Sequence, residues 1–318
     1  MGKSSLFAWL AALSAMAFGL AASAQTYPSK PVQMIVHLPA GTGTDILART
    51  IAQALDQKFG QRFLVVNREG NGVMVAANVL ASAPADGYTV AILPSTIMTV
   101  QIHREKQNVY NRSSFVGVCQ TFDNALFVGV SAKSQFNDLP GLLGYAKANP
   151  GRLKFATSGV ASAPHLAGAV LFQQAGVQVT DVPYRGETSY LTQLLGGEID
   201  MGAVSANLIT TQKGLRPLAV LAKERAHGFP NVPSTAEYGY PVSTLAYFGL
   251  WIRSDVPAAI ISTLDSACRE AVNGRLFTDA ADKQFVAATY LDRQAFNARI
   301  DQDSAITAKL LRELKLAE

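Results

Sequence analysis

The chain changes from a predicted strand to a predicted helix within one short stretch, Val36-His37-Leu38-Pro39-Ala40-Gly41-Thr42-Gly43-Thr44-Asp45. An apolar run over residues 32–38 precedes the turn, and apolar residues at helical spacing follow it, namely Ile46, Leu47, Ile51, Leu55 and Phe59. A helix that begins directly after a turn of small residues leaves its first backbone N–H groups without partners, and its dipole places roughly +0.5 charge at that end. The stretch therefore predicts an anion-binding site.

Two well-known glycine loops do not match this turn. A Walker loop has Lys followed by Ser or Thr after its last glycine, whereas this chain has Thr44 and Asp45. A dinucleotide-binding fingerprint needs a third glycine, and Ile46 stands in its place. The sequence therefore predicts no bound cofactor. An ordinary strand-to-helix turn, with Asp45 as its capping residue, stays open as the alternative.

A second turn of the same construction lies in the other half of the chain. A predicted strand at residues 153–156 runs into Thr157-Ser158-Gly159-Val160-Ala161-Ser162-Ala163-Pro164, and a predicted helix begins at His165. Hydroxyl and N–H groups are dense in this segment, and proline suits the first position of a helix. Two such turns can close on one ligand from both sides, and a carboxylate fits each of them without a buried arginine.

The first residues have the pattern of a secretory signal peptide. Met1-Gly2-Lys3 is a short positive start, residues 6–20 are mostly apolar, and Ala22-Ser23-Ala24 is a small-residue cleavage site. Residues 1–24 are therefore predicted to be removed on export from the cytoplasm. The apolar stretch is too short for a good transmembrane helix, and no later run approaches about 20 apolar residues. We expect no stable membrane insertion after cleavage.

Composition and charge narrow the class of protein. The formal net charge is +4 over 318 residues, and Lys and Arg are scattered among acidic residues, so a nucleic-acid-binding stripe is excluded. The length indicates about two domains, and a hydrophobic content of 49% can fill two cores. We expect a monomer.

The two cysteines lie far apart in the sequence. Cys119 belongs to an apolar run at residues 115–119, and Cys268 lies within a helical pattern. An oxidising compartment permits a disulfide, but spacing alone does not show whether the two thiols meet. We expect two buried free thiols, with a disulfide as the alternative.

Short apolar strands and amphipathic helices alternate along the whole mature chain. Predicted helices cover residues 139–148, 258–272 and 293–314, and predicted strands include residues 88–93, 199–204 and 247–252. This alternation is typical of α/β units with mostly parallel sheets, whose binding sites lie at the carboxyl ends of strands.

A series of short motifs, in a fixed order, covers nearly the whole mature chain. They include Tyr27-Pro28-Ser29-Lys30-Pro31, Pro39-Ala40-Gly41-Thr42-Gly43-Thr44-Asp45, Ala85-Asp86-Gly87-Tyr88-Thr89, Ala146-Lys147-Ala148-Asn149-Pro150-Gly151 and Leu194-Leu195-Gly196-Gly197-Glu198-Ile199-Asp200-Met201. In this order they resemble the Bug family, the periplasmic solute receptors of tripartite tricarboxylate transporters. The resemblance implies an α/β fold of the periplasmic-binding-protein type (type II-like), a Venus flytrap whose two α/β lobes flank a hinged cleft. It implies residues 27–123 and 224–318 for lobe 1 and residues 124–223 for lobe 2.

The resemblance also implies where a ligand would bind. The carboxylate of a small organic acid would contact the first turn in lobe 1 and the hydroxyl-rich turn in lobe 2, and the receptor would deliver the acid to the membrane components of the transporter. Carried onto this chain, the first set is Ala40, Gly41, Thr42, Gly43 and Thr44, and the second is Thr157, Ser158, Ser162 and His165. Ser95, Thr96 and Asn207, which follow predicted strands, are further candidates. Gly41→Val is expected to abolish binding by blocking the N–H donors.

The chain departs from the family pattern near the first turn. His37 and Leu38 precede the proline where the family usually has Pro-Phe, and Thr42 replaces the middle glycine of the family turn. These changes leave the identity of the ligand open. They do not affect the expected fold.

Other functions find less support in the sequence. It contains no Gly-x-Ser-x-Gly elbow and no His-Glu-x-x-His motif, and its four histidines and two cysteines show no metal-ligand spacing. We therefore expect neither an enzyme nor a metal site. A sensor, in which the closed receptor contacts a membrane signalling protein, remains the alternative to transport.

Several side chains near the turns also have ordinary structural interpretations. His165 suits a capping or surface role at the start of its helix, and His37 suits a core position in its strand. Asp45 and Asp86 fit capping and turn positions better than acid or base roles. Tyr247 and Phe248 either flank the ligand or fill the core.

Overall fold

The computed structural model describes residues 27–70, 73–104, 109–242 and 246–317. The predicted signal peptide, residues 1–24, lies outside the described residues. Within the described ranges, no helix combines the length and the apolar character that crossing a membrane requires.

Strands and helices alternate along the described chain as the sequence predicts. The strands are β1 (Val32–Val36), β2 (Phe63–Asn67), β3 (Thr89–Pro94), β4 (Phe115–Asp123), β5 (Leu126–Ser131), β6 (Lys154–Thr157), β7 (Thr180–Pro183), β8 (Met201–Ser205), β9 (Leu215–Val220), β10 (Tyr247–Arg253) and β11 (Ala287–Leu291). The helices are α1 (Gly43–Phe59), α2 (Met74–Ala81), α3 (Thr96–Thr99), α4 (Leu139–Ala148), α5 (Ala163–Ala175), α6 (Leu191–Gly196), α7 (Ala206–Thr211), α8 (Ala258–Asn273), α9 (Arg275–Lys283) and α10 (Arg293–Glu313). Short 3₁₀ turns occur at Gln101–His103, Glu187–Ser189 and Thr235–Tyr238.

The strands form two mixed sheets. The first has the order β11-β4-β10-β3-β1-β2 and the second the order β7-β6-β8-β5-β9. Strands β2, β1 and β3 are parallel, as are β7, β6 and β8, whereas β10, β11 and β5 run against their neighbours. The prediction of mostly parallel sheets is therefore wrong. Strands β5 and β10 receive the chain from the other sheet, so each starts at the edge where the parallel strands end and must run the opposite way.

The chain passes between the two sheets at their carboxyl edges. Only residues 124 and 125 separate β4 from β5, so these edges lie next to each other. The return path from β9 to β10 runs beside this crossing, because Asn124 N–H donates to the Ala246 carbonyl (2.7 Å) and Leu221 N–H donates to the Leu126 carbonyl (2.8 Å). The two crossings are thus hydrogen-bonded to each other.

The return to the first sheet occurs later than the predicted boundary at residue 224. Ser234 forms a bridge with Val220 at the end of β9, and Val242 is buried in the core of the second sheet. Phe229 and Val232 pack on the other face of that sheet. Residues 229–242 therefore belong to the second sheet's layer, because their apolar side chains are buried there.

A disulfide between Cys119 and Cys268 overturns the expectation of two free thiols. It joins β4 to α8, with 6.6 Å between the two Cα atoms and a sequence separation of 149. Both side chains are fully buried in the core that α1, α8 and the first sheet share. The helical face that buries Leu264 and Val272 also turns Cys268 toward the sheet. The two sulfur atoms therefore meet because the amphipathic helix packs on β4.

Candidate functional site

The first candidate turn joins β1 to α1. Thr42, not Asp45, is the N-cap residue (φ −70°, ψ 158°), and its hydroxyl accepts the Asp45 N–H at 3.4 Å. Gly43 and Thr44 are the first two residues of the helix, and within the described chain their N–H groups have no hydrogen-bond acceptor. These two donors lie at the positive end of the helix dipole, where an anion is favoured.

Asp45 already uses the neighbouring donor at Gly41. Its carboxylate is buried and accepts hydrogen bonds from Gly41 N–H, Arg49 Nε–H and Asn67 Nδ2–H, each at 2.9 Å. Burial raises the pKa of Asp45, but these hydrogen bonds outweigh burial and hold the pKa below its ordinary value. Asp45 therefore acts as the turn's own anion.

This arrangement corrects the expectation for Gly41→Val. Gly41 has φ +83°, a conformation that a β-branched residue adopts only with strain. Its N–H is bound to Asp45 Oδ2 and is not free to hold a ligand. A valine at residue 41 would distort the backbone of the turn instead of covering an open donor.

The second candidate turn joins β6 to α5 and also ends in a hydroxyl cap. Ser162 is the N-cap (φ −65°, ψ 161°), and its hydroxyl donates to the Gly159 carbonyl (2.7 Å) and accepts the His165 N–H (3.4 Å). Thr157 Oγ1 is buried and has no hydrogen-bond partner among the described residues. A buried hydroxyl without a partner is costly, so this atom is well placed to bind a ligand or a water molecule.

His165 holds the second turn together. Its Nδ1 accepts the N–H of Ala161 (2.8 Å), a residue with left-handed backbone (φ 56°), which places the ring proton on Nε2, 3.5 Å from Asp181 Oδ2. Burial lowers the pKa of His165, the Asp181 carboxylate opposes this, and the Arg104 guanidinium adds to it. The His165 ring thus stabilises the backbone of the turn, and ligand contact by His165 stays a prediction.

Sheet topology places each candidate turn at the carboxyl edge of its own sheet. Residues Val36 and Ile92 are paired in neighbouring parallel strands, so the first turn and the end of β3 lie side by side. Val100, a few residues after β3, shares a buried apolar cluster with Ala161 and Leu166 of the second turn and its helix. The region after β3 therefore links the two turns.

The three further candidates differ in exposure. Ser95 is fully buried, and its N–H donates to the Tyr247 carbonyl (2.9 Å), whereas the adjacent Thr96 is half-buried. Asn207 is exposed near the start of α7, directly beyond the end of β8. Ala40 is exposed, and Ser158 is half-buried. All of these residues follow strands at the carboxyl edges.

The aromatic residues near the first turn fill the core. Tyr247 is fully buried, and its hydroxyl donates to Asp303 Oδ2 (2.7 Å). Phe248 stacks on Phe122 at 4.6 Å and on His37 at 6.0 Å between ring centroids. Burial lowers the pKa of His37 to about 4, so its ring is neutral at physiological pH, and its buried Nδ1 lacks a partner in the described structure.

Sequence reasoning missed one charged residue at the carboxyl edge of the second sheet. Glu187 lies in the 3₁₀ turn after β7, and its Oε2 accepts the N–H (3.3 Å) and the hydroxyl (2.7 Å) of Ser205 at the end of β8. A single acid in a loop gives no sequence signal for this position. Among all described residues, no group of three or more His, Cys, Asp or Glu side chains is placed to hold a metal ion.

Comparison with known proteins gives a consistent result. A family model described as "Tripartite tricarboxylate transporter family receptor" matches residues 47–316. Protein BugT of Bordetella pertussis is 32% identical over 270 residues, which are 82% of this chain and 83% of that protein.

Solved structures with the same fold cover most of this chain. A TctC solute binding protein from Polaromonas, solved without ligand, is 29% identical with a TM-score of 0.76, covering 91% of this chain and 100% of that one. The R. palustris protein Rpa4515, solved with adipate, is 25% identical with a TM-score of 0.80, covering 92% of this chain and 99% of that one. The two mixed sheets are therefore those of a periplasmic binding protein, as predicted.

Proposed function

This chain belongs to the tripartite tricarboxylate transporter receptor family, and on that premise we propose that it binds a small carboxylate-containing organic acid between its two sheets. The family consists of solute-binding receptors and not of enzymes. We further propose that the receptor is exported to the periplasm and delivers the acid to the membrane components of a tripartite transporter. The two sheets would then act as hinged lobes.

The observation that carries this proposal is a set of hydrogen-bond donors at the adjacent carboxyl edges of the two sheets that have no acceptor within the described chain. Gly43 and Thr44 offer backbone N–H groups at one helix N-terminus, and Thr157 offers a buried hydroxyl in the other turn. A carboxylate can accept hydrogen bonds from all of these groups, each worth about 1.5–3 kcal/mol when the acceptor is charged. The adipate bound to the similar Rpa4515 supports a carboxylate as the ligand.

A thermal-unfolding screen tests the ligand class. The purified mature protein is heated with a panel of mono-, di- and tricarboxylates that includes adipate. An acid present at about 100 times its Kd is expected to add ~2.7 kcal/mol of stability, because it binds only the folded state. Amines and uncharged sugars of similar size are the controls. Stabilisation by uncharged sugars alone would contradict the proposal.

A deletion strain tests the transport role. Loss of the gene is expected to reduce uptake of the acid identified in the screen, and a plasmid copy should restore it. Normal uptake together with a lost transcriptional response to the acid would contradict delivery to a transporter. That result would favour the sensor role.

Thr157→Val separates binding from folding at the second turn. Valine has the shape of threonine but lacks the unpartnered buried hydroxyl, so we expect the free energy of unfolding to stay the same or rise by about 1 kcal/mol. If the hydroxyl contacts the carboxylate, the Kd of the best acid from the screen rises about 10-fold. Calorimetric titration measures the Kd, and Thr157→Ser, which keeps the hydroxyl, is the matched control. Equal affinity of the two variants would contradict this contact.

A further inference from the structure

Glu187 places a carboxylate beside the predicted anion site. Its Oε2 is held by Ser205, the last residue of β8, and the neighbouring parallel strand β6 ends at Thr157. Ser205 also pairs with Leu126, directly after the crossing from the first sheet. An acidic group therefore lies at the strand edge where the proposed ligand would bind.

The loop that carries Glu187 is fixed on β8. Gly186, directly before it, has φ +120°, a backbone that favours glycine. Tyr190, three residues further on, is fully buried, and its hydroxyl donates to the Ala203 carbonyl at 2.7 Å. The ring lies so close to Gly202 that a Cβ there would be 2.9 Å from Tyr190 Cε2. The loop is thus fixed on the C-terminal side of Glu187 by the buried Tyr190.

No cation of the described residues balances this carboxylate. Its only hydrogen bonds there come from Ser205, and they reach Oε2, so Oε1 has no partner within those ranges. Burial raises the pKa of Glu187, and the hydrogen bonds from Ser205 oppose that rise. The Glu187 side chain is half-buried, so its carboxylate has lost part of its hydration, and such a group is stabilised when a positive group pairs with it. Since the described protein does not supply that group, a ligand can.

We propose that Glu187 binds a positively charged amino group of the ligand, so that the receptor takes a zwitterionic acid. The ligand's carboxylate would occupy the donors at Gly43, Thr44 and Thr157, and its ammonium group would reach Glu187 Oε1. An ammonium donates charge-assisted hydrogen bonds to a carboxylate, and these are stronger than neutral ones. This assignment rests on the proposed function, because it needs a carboxylate at the two turns.

Pairs of probes that differ by one amino group test the assignment. Aspartate is compared with succinate, glutamate with glutarate, and 2-aminoadipate with adipate, each by calorimetric titration of the mature protein. We expect the amino member of at least one pair to bind about 10- to 100-fold more tightly than its partner. Glu187→Gln, which keeps the shape and can still accept from Ser205, is expected to remove that preference.

Glu198→Gln is the control, because Glu198 is an exposed acid on the same sheet's loops and its loss changes the net charge equally. It should leave the preference unchanged. Equal binding within every pair, or a preference that survives Glu187→Gln, would overturn the role of Glu187. In either case, binding of the diacids themselves would still support the proposed function. If neither member of any pair binds, the role of Glu187 in binding amino dicarboxylates fails, and the thermal screen with the other carboxylates decides the proposed function.

Discussion

Removal of the Cys119–Cys268 disulfide is expected to lower the free energy of unfolding by about 3–5 kcal/mol. The cross-link joins cysteines with a sequence separation of 149, so it restricts the unfolded chain strongly. It also joins an interior strand of the first sheet to the helix packed on it. The double variant Cys119→Ala, Cys268→Ala should therefore melt on the order of 10 °C below the oxidised protein. Urea unfolding followed by circular dichroism measures the difference.

The reduced wild-type protein is the matched control for packing. It keeps both sulfur atoms in the core but lacks the bond between them, so its stability should lie close to that of the double variant. Without the cross-link the unfolded chain is less compact, so unfolding should expose more surface and the slope of the urea dependence should rise. Equal urea midpoints for the oxidised and reduced proteins would show that the disulfide does not stabilise the fold.

The sequence predicts elements best where their ends carry local signals. Helix α4 has the predicted bounds because Asp138 caps its start, with its carboxylate accepting the Gly141 N–H, and Asn149-Pro150-Gly151 follows its last residue. Helix α9 and strand β11 were not predicted. Helix α9 buries only Phe277 and Ala281, and no residue of β11 is fully buried. Strand β11 therefore shows no apolar alternation, whereas α9 has its buried residues at helical spacing but is only nine residues long.

Strand direction and chain pairing depend on contacts that local patterns do not contain. Apolar spacing indicates that β10 is a strand, but its antiparallel course follows from where the chain re-enters the first sheet. The pairing of Cys119 with Cys268 likewise needs α8 in place on β4.

The candidate site shows the same division. The two turns were found from the sequence, because strand, small residues and helix are local features. The sequence did not show which N–H groups stay free. Asp45 accepts the Gly41 N–H only with Asn67 and Arg49 in place around it, and these residues are distant or on the next helical turn. The late return of the chain to the first sheet is likewise not a local feature, because Val242 is buried in the core of the second sheet.

Gly43→Pro is expected to weaken carboxylate binding about 10- to 100-fold, with little change in stability. Gly43 is the first residue of α1, a position that favours proline, and Thr42 before it already has the extended backbone that a following proline requires. The substitution removes the N–H of Gly43, which has no acceptor within the described chain. Calorimetric titration with the best acid from the thermal screen measures the change in Kd.

Gly43→Ala isolates the effect of that single donor. Alanine adds the same Cβ, whose nearest neighbour would be the flexible Gln284 side chain at 3.0 Å, but it keeps the N–H. The alanine variant should therefore bind the acid nearly as well as the wild type, and the proline variant should not. Equal Kd values for the two variants would mean that the ligand does not use this donor. Because both variants leave the Asp45 network and the left-handed Gly41 untouched, a difference between them can come only from the backbone hydrogen bond to the ligand and the ring that replaces it.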